Sequence, residues 1–234
     1  MSVVQLILLG AAGSILAVVV LAALGRTRAA LVVLGRRHKL ADVLRRGGIT
    51  KFHLSRDDYG RTLKTYLSQA KHSIRIVSVS LKLTHDEGDL ADLFRTRLAQ
   101  NPNFRVAISL LAPSSPAAGC SAASLDADPT ELRREIMEML GTLMSLKAGL
   151  PPGQRERIDV RVHECLPMGS AIMLDAEPET GIIQVETKLH RSPRVESFGF
   201  EIKGPSDFYK RHYRAWTRVW DESREPLATE YAQR

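Results

Sequence analysis

The chain has 234 residues, of which 44% are hydrophobic and 25% are charged, and its formal net charge is +7. With the apolar N-terminus set aside, the remaining length suits one globular domain with its own core. The two cysteines, Cys120 and Cys165, form neither a disulfide framework nor a cysteine-based metal motif, so we expect a reducing cytoplasm. We also expect no metal ion and no cofactor.

The N-terminus contains a long apolar run, Val3–Leu24, in which Gln5 and Ser14 are the only polar side chains. As a helix it reaches about 33 Å, enough to cross a hydrocarbon core of about 30 Å. A cleaved signal peptide and a buried core helix are the alternatives. The run is longer than the apolar segment of a usual signal peptide, and the first charged residue of the chain, Arg26, comes after it. The pattern therefore predicts a transmembrane anchor at residues 1–25.

A basic juxtamembrane segment at residues 26–48 follows the predicted anchor and supplies most of the net charge, so that charge says little about the ligand of the globular part. The positive-inside rule places this segment in the cytoplasm and the N-terminus outside, in a single-pass protein of the inner or plasma membrane. It either forms a helix on the leaflet or continues the membrane helix into a linker. The residues predicted to contact membrane lipids are Arg26, Arg28, Arg36, Arg37, Lys39, Arg45 and Arg46.

The first half of the remaining chain alternates strands and helices, which favours a parallel sheet covered by helices. The segment at 113–129 is rich in serine, alanine and proline and is predicted as a long loop. The elements predicted before and after it are a strand at Lys51–Leu54, a helix at Asp58–His72, a strand at Ser73–Leu83, a helix at Gly88–Gln100, a strand at Phe104–Leu111 and a helix at Thr130–Leu146.

The second half adds antiparallel strands and a closing helix. A turn containing Pro178 and Gly181 joins two of the strands into a hairpin. The predicted elements are strands at Ile158–Leu166, Ser170–Asp175, Gly181–Leu189 and Ser197–Ile202, and a helix at Phe208–Ser223. The fold class is therefore α/β, with a mixed sheet flanked by helices and preceded by one transmembrane helix.

This order of elements resembles one half of a phospholipase D-like domain over residues 49–224, with residues 225–234 as a C-terminal tail. The resemblance lies in the segments AKHSIRIVSVSL, FRVAISLLAP and IDVRVHE, and in Glu201 followed by a helix with Trp216 and Trp220. It implies a half-domain that pairs with a second copy, hence a homodimer. Members of this superfamily carry the motif His-x-Lys-x-x-x-x-Asp, in which histidine attacks phosphorus, lysine holds phosphate oxygens and aspartate supports the site.

The motif is degenerate in this chain. Counted back from Asp175, the lysine position is Ser170 and the histidine position is Met168. Methionine is no such nucleophile, and serine carries no charge for a transferring phosphoryl group. The resemblance therefore implies that the usual chemistry is absent and that the chain is not an enzyme.

The remaining candidate site consists of His163, Asp175, Lys188 and Glu201, which we expect to bind a phosphate-bearing ligand. His163 is also the weak candidate for a catalytic residue, and a purely structural role for it remains open. The function predicted is that of a membrane-anchored, non-catalytic sensor, scaffold or effector that binds a ligand or a protein partner at the cytoplasmic face. The alternatives are a membrane-tethered phosphodiesterase or phospholipase with a rearranged site, and a membrane-surface nucleic-acid binder.

Overall fold

The computed structural model describes residues 42, 44, 46–55, 58, 62–81, 87–165, 169–187, 191 and 196–231. The predicted anchor and six of the seven predicted lipid-contacting cations lie outside these residues and stay predictions. Arg46 pairs with Asp42 at 2.5 Å on the surface. Within the described ranges, no helix is both long and apolar enough to cross a membrane. Residues 47–234 form a compact unit.

The described residues of this unit form a mixed sheet of seven strands in the order β1-β7-β6-β5-β2-β3-β4. Strands β2, β3 and β4 are parallel to one another, and the other pairs are antiparallel. The architecture confirms the α/β class with a mixed sheet flanked by helices. The strands are β1 (Ile49–His53), β2 (Ser73–Ser78), β3 (Arg105–Leu111), β4 (Ile158–His163), β5 (Gly169–Leu174), β6 (Ile182–Thr187) and β7 (Phe198–Lys203).

Six helices lie beside the sheet in the described part of the chain. Helix α4 places six buried apolar side chains at helical spacing against the sheet, and each contributes about 1.5–3 kcal/mol. Asp128 caps its N-terminus by accepting from the N–H groups of Thr130 and Glu131, and these bonds lower the pKa of Asp128. The helices are α1 (Leu63–Leu67), α2 (Glu87–Gln100), α3 (Pro116–Ser124), α4 (Pro129–Gly149), α5 (Pro152–Arg155) and α6 (Asp207–Asp221).

The sheet separates two hydrophobic clusters. Helices α1, α2 and α4 cover the larger cluster on one face, where Ile76, Ile108 and Val160 are buried. Helix α6 covers the smaller cluster on the other face, where it buries Tyr209 and Trp216. The two faces of the sheet are therefore covered by different helices.

Two predicted elements need comment. The predicted loop at 113–129 is wrong in its middle, because α3 forms there. Ser115 accepts from the N–H of Ala117 and Pro116 follows the cap, a favoured start for a helix whose Ala118 and Ala122 are then buried. The predicted hairpin is confirmed by the antiparallel pairing of β5 and β6, with Gly181 at φ +96° in the turn.

The C-terminal residues pack on the outer edge of β4. Arg224 forms an antiparallel bridge with Val162, and its guanidinium makes two bonds of 2.9 Å to the buried Glu230. Glu230 also accepts from the N–H of Leu227 and from the hydroxyl of Ser114, both at 2.9 Å. The bond from Arg224 is the main reason that the pKa of Glu230 is lowered. This segment covers an edge strand that would otherwise offer unpaired backbone groups.

Candidate functional site

The position that corresponds to the motif lysine, Ser170, lies on β5 and is buried. Its hydroxyl is 2.8 Å from the hydroxyl of Ser78, which donates in turn to the carbonyl of Ser80 at 2.8 Å. On its other side Ser170 lies opposite Glu186 in the register of β5 and β6. A neutral, hydrogen-bonded hydroxyl opposite a glutamate therefore occupies the position that the resemblance assigns to the lysine.

Ser170 belongs to a larger set of polar side chains that we call the polar strip. Register places its members on one face of the sheet, the face that also carries Ile172 and Leu174 toward the larger hydrophobic cluster. Directly opposed pairs lie about 5 Å apart and diagonal neighbours about 7 Å. The strip therefore forms one continuous polar surface, made of Lys51, His53, Ser78, Ser170, Gln184, Glu186 and Glu201.

Glu201 lies near the centre of the polar strip and is only 3% exposed. One carboxylate oxygen is 3.7 Å from Nζ of Lys51, and the other is 3.8 Å from Nε2 of His53. The ring of His53 is held by the backbone carbonyl of Asp58, 3.1 Å from Nδ1. With Nδ1–H donating to that carbonyl, Nε2 is directed toward the carboxylate.

The described members of the polar strip include acidic side chains. They are two carboxylates, Glu186 and Glu201, beside the ammonium group of Lys51 and the ring of His53. A transferring phosphoryl group needs cations or N–H donors at its equatorial oxygens, and a nearby carboxylate repels it. Lys188, which was expected at this face, lies outside the described residues, as does Met168.

His163 lies at the end of β4 and is buried, with both ring nitrogens facing backbone carbonyls. Nδ1 is 3.1 Å from the oxygen of Cys165, and Nε2 is 3.2 Å from the oxygen of Ser78. Burial lowers the pKa of His163, against the opposing effect of the two carbonyls. A neutral imidazole carries one N–H, so one ring nitrogen donates to the carbonyl that it faces.

The thiol of Cys165 completes this arrangement. Its sulfur is 3.6 Å from Nδ1 of His163, and burial raises the pKa of the thiol. A nucleophilic cysteine–histidine pair needs the opposite shifts, a thiol pKa that is lowered and a ring that accepts the proton. The geometry therefore supports a structural pair.

The structure does not bring His163 together with Glu201. Strands β4 and β7 are separated by four other strands, which is about 24 Å at about 4.8 Å per strand. Among the described residues, Ser78 links His163 to the polar strip, because its carbonyl contacts His163 and its hydroxyl contacts Ser170.

Asp175 lies at the far end of β5, where its carboxylate accepts from three backbone N–H groups. Oδ1 accepts from His72 at 2.6 Å and from Ser73 at 2.8 Å, and Oδ2 accepts from Lys71 at 2.8 Å. Five residues of extended strand, about 16 Å, separate it from Ser170. Asp175 therefore fastens the segment before β2 to the end of β5 and does not face the polar strip.

Five members of the strip were missed from the sequence, namely Lys51, His53, Ser78, Gln184 and Glu186. Strict alternation in KFH and in IIQVET does place Lys51 with His53 and Gln184 with Glu186 on one face. This alternation identifies the polar face of each strand, but it does not show which strands lie next to each other. Over the described ranges, no group of three or more His, Cys, Asp or Glu side chains is arranged to hold a metal ion.

Comparison with known proteins gives limited similarity. A scan against models of protein families found no match, and a search of curated proteins found none either. Among solved structures, the chain is similar to a phospholipase D family member, Nuc, from Salmonella typhimurium. The identity is 14% and the TM-score 0.35, over 69% of this chain and 86% of that chain. Similarity at this level carries no information about activity.

Proposed function

We propose that the chain is a membrane-anchored, non-catalytic phospholipase D-like domain that acts as a sensor, scaffold or effector at the cytoplasmic membrane face. The observation that carries the proposal is the environment of Ser170. A hydroxyl bound to Ser78 and opposed by Glu186 stands where the motif has its phosphate clamp. This environment disfavours a phosphate at the vacated centre and leaves binding or assembly as the role of the fold.

The state of His163 supports the same conclusion. The ring is desolvated, its pKa is lowered, and its two nitrogens contact Ser78 and Cys165. Attack on phosphorus requires a lone pair that is aimed at the substrate and a second group that holds the ring in the productive orientation. Neither nitrogen of His163 faces open space, which argues against the membrane-tethered phosphodiesterase.

The membrane part of the proposal rests on the apolar run at Val3–Leu24 and the cations that follow it. Alkaline carbonate extraction of membranes tests it directly: the full chain is expected in the pellet, and a chain lacking residues 3–24 in the supernatant. The homodimer, implied by the half-domain resemblance, is tested by cross-linking in the same membranes.

The catalytic question is tested with the full chain in lipid nanodiscs, using bis(p-nitrophenyl) phosphate and phosphatidylglycerol as substrates. The expected result is a rate equal to that of protein-free nanodiscs, and the same rate for His163→Ala. Turnover that His163→Ala abolishes would overturn the non-catalytic assignment. A Ser170→Lys variant is the matched control, and it is expected to stay inactive because Glu186 still faces the introduced cation.

A further inference from the structure

A second site lies at the opposite end of β2 from Ser78, where β2, β3 and β4 begin. A cleft of about 550 Å³ opens there, with Trp220 of α6 on its wall. Three acidic residues, Glu156, Asp159 and Glu177, also line it. Its cationic lining residues are Arg75, Arg105, Lys147, Arg155 and Arg157.

Two of these cations are held rigidly by neutral acceptors. The guanidinium of Arg157 donates to the carbonyls of Leu98, Asn101, Phe104 and Gly153 at 2.7–3.3 Å. Arg155 donates in the same way to the carbonyls of Ala148 and Leu150. Carbonyl oxygens orient a guanidinium but do not neutralise it, so both residues contribute fixed positive charge to the cleft.

Arg75 and Arg105 supply the donors. Arg75 donates to the hydroxyl of Thr217 at 3.3 Å, and its guanidinium carbon lies 5.7 Å from the centre of the Trp220 ring. Arg105 lies opposite Ser73 in the register of β2 and β3 and is exposed. Across the part of the chain that the structure describes, neither arginine forms an ion pair with a carboxylate.

The acidic residues do not cancel this charge. Asp159 accepts from Arg161 at 3.0 and 2.9 Å, so its charge is already compensated. Glu156 and Glu177 offset two of the five cations that line the cleft. The cleft therefore keeps a surplus of positive charge with free guanidinium donors, in contrast to the two carboxylates of the polar strip.

We infer that this cleft binds a small phosphate-bearing molecule through Arg75 and Arg105, with Trp220 as the adjoining wall. Guanidinium groups match phosphate oxygens in a bidentate geometry, and several fixed cations favour a multiply charged anion. The inference rests on the proposed sensor role in one respect: it places the ligand of that sensor at the start of the parallel strands and away from the vacated motif. A free oligophosphate and a nucleotide share this chemistry.

The cleft offers its own reporter, because the chain has two tryptophans and Trp216→Phe leaves Trp220 alone. The full chain with this change is titrated with inorganic pyrophosphate, ATP and adenosine while Trp220 fluorescence is recorded. Isothermal calorimetry on the chain with both tryptophans gives the same constants if the variant folds poorly. Saturable binding of pyrophosphate and ATP, but not of adenosine, is expected, with an affinity that falls as salt rises.

The variants Arg75→Gln and Arg105→Gln are each expected to weaken pyrophosphate binding by about tenfold or more. Arg133→Gln, an exposed arginine at the other end of α4, is the matched control and should bind as the native chain does. A preference for ATP over pyrophosphate identifies a nucleotide, and equal binding identifies the oligophosphate. No saturable binding of either anion, adenosine binding equal to ATP binding, or unchanged binding in both cleft variants overturns the inference. Each of these outcomes leaves the separate turnover assay unaffected.

Discussion

Asp175 offers the sharpest test of the distinction between structural and functional roles. Its carboxylate accepts from the N–H groups of Lys71, His72 and Ser73 at 2.6–3.1 Å, and its backbone lies at φ +49°. A hydrogen bond to a charged group contributes about 1.5–3 kcal/mol when buried. Three donors that share one half-buried carboxylate contribute less than the sum, and we take about 3 kcal/mol for the set.

Replacement by alanine removes all three bonds and leaves a β-carbon in the left-handed region, which costs about 1 kcal/mol more. We therefore expect Asp175→Ala to lower the free energy of unfolding by about 4 kcal/mol. Asp175→Asn tolerates the backbone and keeps one acceptor oxygen for His72 and Ser73, so about 1.5 kcal/mol is expected. Its amide N–H2 would face the N–H of Lys71, which accounts for the loss.

Urea unfolding of the full chain, followed by tryptophan fluorescence, measures these differences. Asp92→Ala is the matched control, because Asp92 is exposed and pairs with Arg95 on the surface of α2, and its effect should be close to zero. The reasoning is refuted if Asp175→Ala stays within about 0.5 kcal/mol of the native chain. It is also refuted if Asn and Ala cost the same.

Three further outcomes follow from single contacts. Glu230→Gln should destabilise the chain by about 2 kcal/mol at neutral pH. Because the native pKa is lowered, the difference should shrink progressively as pH falls below the ordinary value of 4.5 and be lost only as pH passes through the lower native pKa. A difference in urea unfolding that stays constant from neutral to acidic pH would contradict this. Gly181→Ala should lower the free energy of unfolding by about 1–3 kcal/mol, since φ is +96° at this position and the added β-carbon would lie 2.4 Å from the carbonyl oxygen of Asp175. A calorimetric melting temperature equal to that of the native sequence would contradict this prediction. Burial holds the pKa of His163 below the ordinary 6.5, so below about that pH the unfolded state binds more protons than the folded state. The chain with His163 should therefore lose stability relative to His163→Gln as pH falls below about 6.5. His212 shifts in the same direction but is present in both proteins and cancels; parallel pH curves would refute the assignment.

Most elements could be predicted because local periodicity reflects burial. The alternating residues of the SIRIVS segment in β2 mark the side of the strand that packs in the core. The six apolar residues of α4 mark the side of the helix that packs there. The end of β2 was less accurate, since the predicted strand ran to Leu83 and β2 ends at Ser78. The hydroxyl of Ser78 donates to the carbonyl of Ser80, a local bond that favours a turn over a continued strand.

The candidate site was harder to predict because it depends on the order of strands. β1 pairs with β7, so His53 approaches Glu201 across about 150 residues of chain. His163 has the same residue type and also lies on a strand, yet β4 is at the other end of the sheet. A local sequence pattern shows which side chains of a strand point to the same face of the sheet, but not which strands lie beside it. The neighbouring strands decide which side chains share a site.

Ser170 in β5 and Asp175 directly after it are two positions that the resemblance matches to the motif, and they contribute to the fold in different ways. Asp175 serves the fold itself, because its carboxylate satisfies three backbone N–H groups at the start of β2, and its loss would cost stability in any variant, active or not. Ser170 has a hydroxyl that its neighbour Ser78 already satisfies, so a cation is not needed there to maintain the fold. The contacts of Asp175 therefore account for its presence through stability alone. The anion site that we propose at the start of β2, β3 and β4 is independent of these positions, because Arg75 and Arg105 lie at the opposite end of β2 from Ser78.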